Sequence, residues 1–225
     1  MGIVPGGKMA ILAGVGPMGL GAIDYALHGP IKPSLLVVTD ISQDRLDRAA
    51  SIFTAEDAAK NGVRLIYKNT SEGDPVAQLM ELSSGTGYDD VYVYAPVKAV
   101  VEQGDRILGN NGCLNFFAGP TNTQFRAEFN FYNVHYAGTH IVGTSGGNTA
   151  DMIESLDMMS KGLLNPAVMV THIGGLNAVI DTTLNLPNIP GGKKLIYNNI
   201  KLELTAIADF AEKGRTDPLF RQLDD

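Results

Sequence analysis

Met9-Ala10-Ile11-Leu12-Ala13-Gly14-Val15-Gly16-Pro17-Met18-Gly19-Leu20 is the stretch on which the reading of the fold turns. A short apolar run makes a buried strand, and the chain then passes through three glycines into Gly21-Ala22-Ile23-Asp24-Tyr25-Ala26-Leu27. The spacing Gly14-x-Gly16-x-x-Gly19 is the dinucleotide-binding fingerprint, and each glycine has its own task. Gly14 permits the tight turn off the strand. Gly16 lets backbone approach a pyrophosphate, and Gly19 lets the new helix lie close to the sheet. Pro17 suits a first helical turn, where a missing N–H costs nothing. The pyrophosphate would rest on the free amides of that helix N-terminus, Met18 among them. A bare GxGxxG is a weak signal in a glycine-rich chain. Here it follows a strand and opens a helix, and Asp40 ends the next apolar run 21 residues after Gly19.

Outward from this stretch, strands and helices alternate. Leu35 to Thr39 forms a second buried strand, closed by Asp40. Asp44 to Phe53 is a helix, with Leu46, Ala49, Ala50 and Phe53 on one face. Thr54 and Asp57 cap a further turn, and Val63 to Tyr67 makes strand three. Asp74-Pro75 supplies an N-cap and first-turn proline for a helix through Leu82. Strand four spans Val91 to Ala95 and is followed by a helix from Val97 to Leu108. The turn Asn110-Asn111-Gly112 leads to strand five, Leu114 to Ala118, and Thr139 to Gly143 is strand six. Alternation of this kind implies parallel pairing and right-handed crossovers. The fold class is therefore α/β: a Rossmann, doubly wound, six-stranded parallel sheet of order 3-2-1-4-5-6, with a short C-terminal appendage. The ligand crevice belongs at the carboxyl ends of strands one and four. Residues 1–162 form the nucleotide-binding domain and 163–225 the appendage. Met1 to Lys8 is a lead-in without room for a domain. After Gly147 come a helix from Thr149 to Lys161 carrying Met152, Ile153, Leu156 and Met159, a strand Val168 to Thr171, a helix from Leu176 and a strand Lys194 to Tyr197. Leu202 to Phe210 has helical spacing, and the charged tail Glu212 to Asp225 closes the chain.

Composition excludes several classes. With 225 residues, 44% hydrophobic and 18% charged, the chain can bury a full core. A net charge of −7 with no Lys/Arg block argues against nucleic acid. No apolar run reaches membrane-spanning length, and no signal peptide is visible. The single cysteine, Cys113, excludes an intramolecular disulfide and reads as an inert thiol in a reduced, cytoplasmic setting.

Each candidate residue has a plainer alternative. Asp40 reads as the acceptor of both adenosine ribose hydroxyls, which would favour NAD over NADP by repelling a 2′-phosphate; it also reads as a turn initiator. Arg45 flanks the ribose or is a surface cation. Ala95-Pro96, Gly119 and Gly143-Thr144 fall at carboxyl ends of strands, where small residues leave room for adenine and nicotinamide, or simply make turns. Tyr94-x-x-x-Lys98 matches the pair of short-chain dehydrogenases by letter alone. His28, His135, His140 and His172 lack metal-ligand spacing, so no metal site and no catalytic residue is assigned. The aromatic run Phe129 to Tyr136 is either core or the lining of a subunit contact.

Gly14 to Leu20 and Asp40 to Leu46 resemble the two cofactor motifs of the zinc-type medium-chain dehydrogenase/reductases. More narrowly, Cys113 to Pro120, Phe129 to Tyr136, Met169 to Gly175 and Ile189 to Tyr197 resemble L-sorbose 1-phosphate reductase-like proteins. The likeness covers nearly the whole chain. It implies NAD as cofactor, a sugar phosphate or polyol as small-molecule substrate, and a homodimer through the strand 139–144 edge. It also implies a catalytic domain ahead of this one that holds zinc, whose ligands match no position here, so that the chain reads as a fragment whose segment after Leu163 returns to that domain. Two alternatives stay open: a stand-alone dinucleotide-sensing module, and a zinc-free quinone-type reductase of the same superfamily.

Overall fold

The computed structural model describes residues 2–224; Met1 at the head of the lead-in and Asp225 at the end of the tail lie outside the described residues. The chain divides into two compact units, residues 1–165 and 166–225.

The first unit is built on a six-stranded sheet of order β3-β2-β1-β4-β5-β6, every neighbouring pair parallel. Its strands are β1 (Lys8–Leu12), β2 (Leu35–Asp40), β3 (Arg64–Asn69), β4 (Tyr88–Val93), β5 (Leu108–Phe116) and β6 (His140–Gly143). The helices are α1 (Pro17–His28), α2 (Gln43–Ile52), α3 (Ala55–Lys60), α4 (Pro75–Leu82), α5 (Lys98–Arg106), α6 (Phe131–Tyr136) and α7 (Thr149–Ser160). The expected strand order is the observed one.

Strands β1 and β2 carry unbroken apolar runs, Met9 to Leu12 and Leu35 to Val38, because both faces are covered. Ala10 and Leu12 enter one cluster with Val37, Leu79, Tyr88, Val91, Val93, Val101 and Leu114. Met9 and Ile11, one residue out of phase, are equally buried on the opposite face, as are Leu20, Ile23 and Leu27 of α1. The caps read from sequence hold. Asp74 Oδ1 accepts from the Val76 and Ala77 amides, and Thr54 Oγ1 accepts from the Asp57 amide.

The second half of the sheet departs from expectation at its element ends. Strand four begins at Tyr88 and stops at Val93, so Tyr94 and Ala95 lie beyond it. Helix α5 stops at Arg106, and strand five already begins at Leu108. The turn expected at residues 110–112 is absorbed into β5. Tyr88 pairs with Leu108 and Asp90 with Cys113, so the extra residues form a bulge in which Asn111 takes a φ of 57°. Strand five ends at Phe116 instead of Ala118, since the amides of Phe117 and Ala118 both turn to the Val93 carbonyl.

One buried carboxylate closes this unit. Asp24, in α1, contacts His28 Nδ1 through Oδ1 at 2.7 Å and accepts the Asn165 amide through Oδ2 at 2.8 Å. Helix α7 also meets α1 where Tyr25 donates to Glu154. The helix lies where expected, but Met152, Ile153 and Leu156 are exposed and Met158 is its buried residue.

The second unit carries a three-stranded sheet of order β8-β7-β9, with β7 (Val170–Gly175), β8 (Lys193–Tyr197) and β9 (Thr205–Ala206). Its helices are α8 (Val179–Asn185), α9 (Phe210–Lys213) and α10 (Pro218–Asp224). Leu202, Phe210 and Phe220 form its core. Two expectations are corrected here. Residues 166–169 form a 3-10 turn, with the strand starting only at Val170, and Leu202 to Phe210 is not helical. That stretch runs extended through Thr205 and Ala206, then turns at Ile207–Asp209. Thr205 pairs with Ile173, which makes the segment a third strand.

Candidate functional site at the carboxyl edge of the sheet

The β1–α1 turn is held from β2. The Gly14 amide donates to the Thr39 carbonyl at 3.0 Å, and Ala13 takes a left-handed φ of 52° to bring it there. A side chain at Gly14 would overlap Ile11 Cγ2, and one at Gly19 would overlap the Gly14 carbonyl. These two glycines are therefore packing positions, joining helix to strand. Gly16 differs: a Cβ there would meet nothing within 4 Å, and its φ of −74° suits any residue. What the small residue preserves is open space in front of the backbone.

That space faces the start of α1. Gly16 is the N-cap, Pro17 opens the first turn, no side chain caps the helix, and no acidic residue lies in the first turn. The first amides and the positive end of the helix dipole are thus left to a ligand. Met18, on the same turn, is 45% exposed.

Asp40 ends β2 one strand away and is buried. Both readings of it have structural content. Oδ1 initiates the turn by accepting from the Ile41 and Ser42 amides at 2.9 and 3.0 Å. Oδ2 has no hydrogen-bond partner among the described residues. Asn69, at the end of β3, pairs in register with Asp40, and its Nδ2 donates to Gln43 Oε1 at 3.1 Å. Sequence reading missed Asn69 because it ended strand three at Tyr67; aligning the parallel strand ends would have found it. Arg45 is an exposed residue of α2 and makes no ion pair among the described residues.

The other sequence-derived positions fall on the same edge of the sheet. The Tyr94 amide donates to the Leu12 carbonyl, which sets half-buried Ala95 and exposed Pro96 beside the glycine turn. Gly119 is exposed three residues beyond β5. Gly143 pairs with Phe116 at the end of β6, and Thr144 Oγ1 donates to Asn115 Oδ1 at 3.0 Å. Only Arg45 stands off the strand ends.

The remaining polar groups are otherwise engaged. Tyr94 packs on Phe117 with ring centroids 5.0 Å apart, and burial pushes its hydroxyl pKa upward; Lys98 instead reaches Glu102 at 2.5 Å. No catalytic couple joins the two. His172 contacts Thr171 Oγ1, and burial together with nearby Lys194 lowers its pKa. Among the described residues, no three His, Cys, Asp or Glu side chains are grouped to hold a metal ion. The residues present do not fit zinc. They do fit a dinucleotide: an uncapped helix start, an open cradle at Gly16 and a carboxylate beside it.

Two curated relatives match nearly the whole chain. The chain is 58% identical over 225 residues to mannitol-1-phosphate 5-dehydrogenase of Aliivibrio fischeri, covering 100% of this chain and 53% of that protein. It is 48% identical over 212 residues to L-sorbose 1-phosphate reductase of Klebsiella pneumoniae, covering 94% of this chain and 50% of the relative. The chain thus spans about half the length of the curated relatives it matches. Among solved structures, 2R,3R-butanediol dehydrogenase from Bacillus subtilis superposes with a TM-score of 0.71 at 20% identity, over 88% of this chain and 52% of that one, a likeness of fold. Residues 17–161 match the family profile described as zinc-binding dehydrogenase, and the chain belongs to that family.

Proposed function

We propose that this chain is the NAD(H)-binding part of an oxidoreductase that acts on a sugar phosphate or polyol, similar to L-sorbose 1-phosphate reductase. The observation that carries the reading is the uncapped start of α1, opening on the free space at Gly16 with Asp40 one strand away. Two relatives named for sugar phosphates, at 58% and 48% identity, support the substrate class.

In this reading the amides following Gly16 and Pro17, Met18 and Gly19 among them, hold the pyrophosphate, while Gly14 and Gly19 keep helix and strand close. Asp40 accepts the ribose hydroxyls through Oδ2, with Arg45 beside the ribose. Ala95, Pro96, Gly119, Gly143 and Thr144 line the way to the nicotinamide. Bound NAD(H) supplies the hydride chemistry. The protein residues bind and orient it, and the charge of Asp40 disfavours a 2′-phosphate. The appendage, from Leu163 onward, packs on a further domain. Leu176, Ile180 and Leu184 recur every four residues there and are 60–75% exposed, which supports such a cover. Edge strand β6 pairs with its own copy in a homodimer; it exposes Ile141 and has no blunting lysine or proline.

Calorimetric titration tests the cofactor assignment. NAD(H) binds the wild-type chain and binds Asp40→Ala more weakly; equal wild-type affinity for NADP overturns the assignment. The 225-residue chain alone turns over neither sorbose 1-phosphate nor glucitol 6-phosphate, because hydride transfer needs a second wall that positions the substrate. Turnover by the chain alone overturns that part.

A further inference from the structure

A chain of hydrogen-bonded side chains lies at the carboxyl ends of β2 and β3. The Ser71 amide donates to Asn69 Oδ1 at 2.9 Å, Asn69 Nδ2 donates to Gln43 Oε1 at 3.1 Å, and Gln43 Nε2 donates to Asp47 Oδ1 at 2.7 Å. Its polarity has a single solution. A backbone N–H only donates and an ionised carboxylate only accepts, so the two ends orient both carboxamides, and neither can flip without losing its bonds. Gln43 and Asp47 are exposed and four residues apart on α2, the spacing at which helical side chains meet. The result is a Gln43 carboxamide whose N–H group is drawn back along the helix.

This chain borders Asp40 on the side away from the glycine turn. Asn69 is the register partner of Asp40 on the neighbouring strand, and Gln43 opens α2 three residues after Asp40, whereas the Gly16 cradle lies toward β1. The ribose of a dinucleotide carries its pyrophosphate on C5′, and its 2′ carbon is further from C5′ than its 3′ carbon. With the pyrophosphate on the β1 side and both hydroxyls at Asp40, the 2′ oxygen faces β3, toward Asn69 and Gln43. We propose that Gln43, oriented by Asp47 at one end and Asn69 at the other, is a second determinant of nucleotide choice. The inference rests on the NAD(H)-binding reading. A 2′-hydroxyl can donate and so tolerates the Gln43 carbonyl oxygen beside it; a 2′-phosphate only accepts and needs the N–H group that Asp47 holds away. Asp40 does not discriminate alone, because Arg45, exposed in the first turn of α2, attracts a phosphate at the same place. Asp47 is thus a positioning residue that acts through Gln43.

Calorimetric titration of NADH and NADPH on the 225-residue chain tests it, with circular dichroism as the control for folding. Asp47→Ala releases the Gln43 N–H group and raises affinity for NADPH relative to NADH about fivefold. Asp47→Asn keeps an acceptor for Gln43 Nε2 without the charge and changes that ratio by less than about twofold, which a general effect of charge would not do. In a Gln43→Ala background, Asp47→Ala adds nothing, since the group it orients is gone. An unchanged ratio in Asp47→Ala, an equal rise in Asp47→Asn, or an effect that persists without Gln43 overturns the proposal. Asp40→Ala separates this failure from that of the cofactor reading. If Asp40→Ala weakens NADH binding while the Asp47 variants leave the ratio unchanged, the role of Gln43 falls and the cofactor reading stands. A wild-type chain that binds neither nucleotide overturns both.

Discussion

Gly16 and Gly19 are three residues apart in one motif, yet the structure assigns them opposite vulnerabilities, and alanine at each position should separate them. At Gly19 a Cβ would press into the Gly14 backbone, overlapping its carbonyl and standing 2.8 Å from its Cα. Neither side can yield by a rotamer change, so α1 must move away from β1. Over-packing of this kind costs roughly 1–3 kcal/mol or more. The overlap with backbone places the cost at the upper end of that range, and alanine returns about 1 kcal/mol of helix propensity, leaving a net loss of about 2 kcal/mol. For a chain of this size that lowers the melting temperature by about 4–8 °C. At Gly16 the same methyl meets no atom within 4 Å, and the backbone already has an ordinary φ. Reduced freedom of the unfolded chain then stabilises the variant by about 0.4–1 kcal/mol. The methyl would stand where the pyrophosphate passes, so NAD(H) affinity falls at least about tenfold, or roughly 1.4 kcal/mol. Thermal unfolding and calorimetric titration on both variants give the four numbers needed. A Gly16→Ala chain that binds NAD(H) as tightly as wild type would refute the placement of the cofactor. A Gly19→Ala chain as stable as wild type would refute the account of helix–strand packing.

Asp40→Asn retains an acceptor for the Ile41 and Ser42 amides but removes the charge, so the fold is kept and NADPH affinity rises about tenfold relative to NADH; fluorescence titration of both nucleotides checks this. Asp90 is buried in β4 and accepts the Val4 amide at 2.7 Å, and burial raises its pKa above the ordinary 3.8. Its carboxyl therefore favours folding most when protonated. That contribution is complete below about 3.8 and is lost as pH rises through the raised folded value. Asp90→Asn should consequently unfold at a higher denaturant concentration than wild type at pH 7, with the gap closing toward pH 4; a gap that widens on acidification contradicts the assignment. Removing the Asp74 carboxylate, which caps two amides of α4, should cost about 1 kcal/mol. Chemical denaturation of Asp74→Ala measures it, and Asp74→Ser should recover most of the loss.

The sheet was legible because parallel strands buried on both faces leave unbroken apolar runs, such as Leu35 to Val38, and because a glycine turn follows the first of them. The strand-end placement of the candidate residues followed from the order of the strands. What could not be read was anything set by a partner. Asn110-Asn111-Gly112 has the composition of a turn, and only pairing with Tyr88 and Asp90 turns it into a bulge within β5. Leu202, Leu204 and Ala206 fit a period of two, and Ala206, Ile207 and Phe210 fit a helix, so the tail was ambiguous until Thr205 paired with Ile173. Helix α7 shows the same limit from the other side. Periodicity located its apolar residues but could not tell that Met158 turns inward while Ile153 and Leu156 face out. Asn69 was invisible for a related reason, since its relation to Asp40 exists only through the register of β3 on β2.

The Asp24 carboxylate joins helix α1 to the Asn165 amide across 141 residues of chain. During synthesis the oxygen that accepts this bond is made early, and its donor emerges only when the whole sheet has been produced. The bond can therefore close only once all six strands have been made, which is the order expected of a late contact. Contacts made that late contribute little to the rate of folding and govern the rate of escape from the native state. Asp24→Asn should leave refolding times nearly unchanged and hasten unfolding, so that the carboxylate sets how long the folded unit lasts and not how quickly it appears.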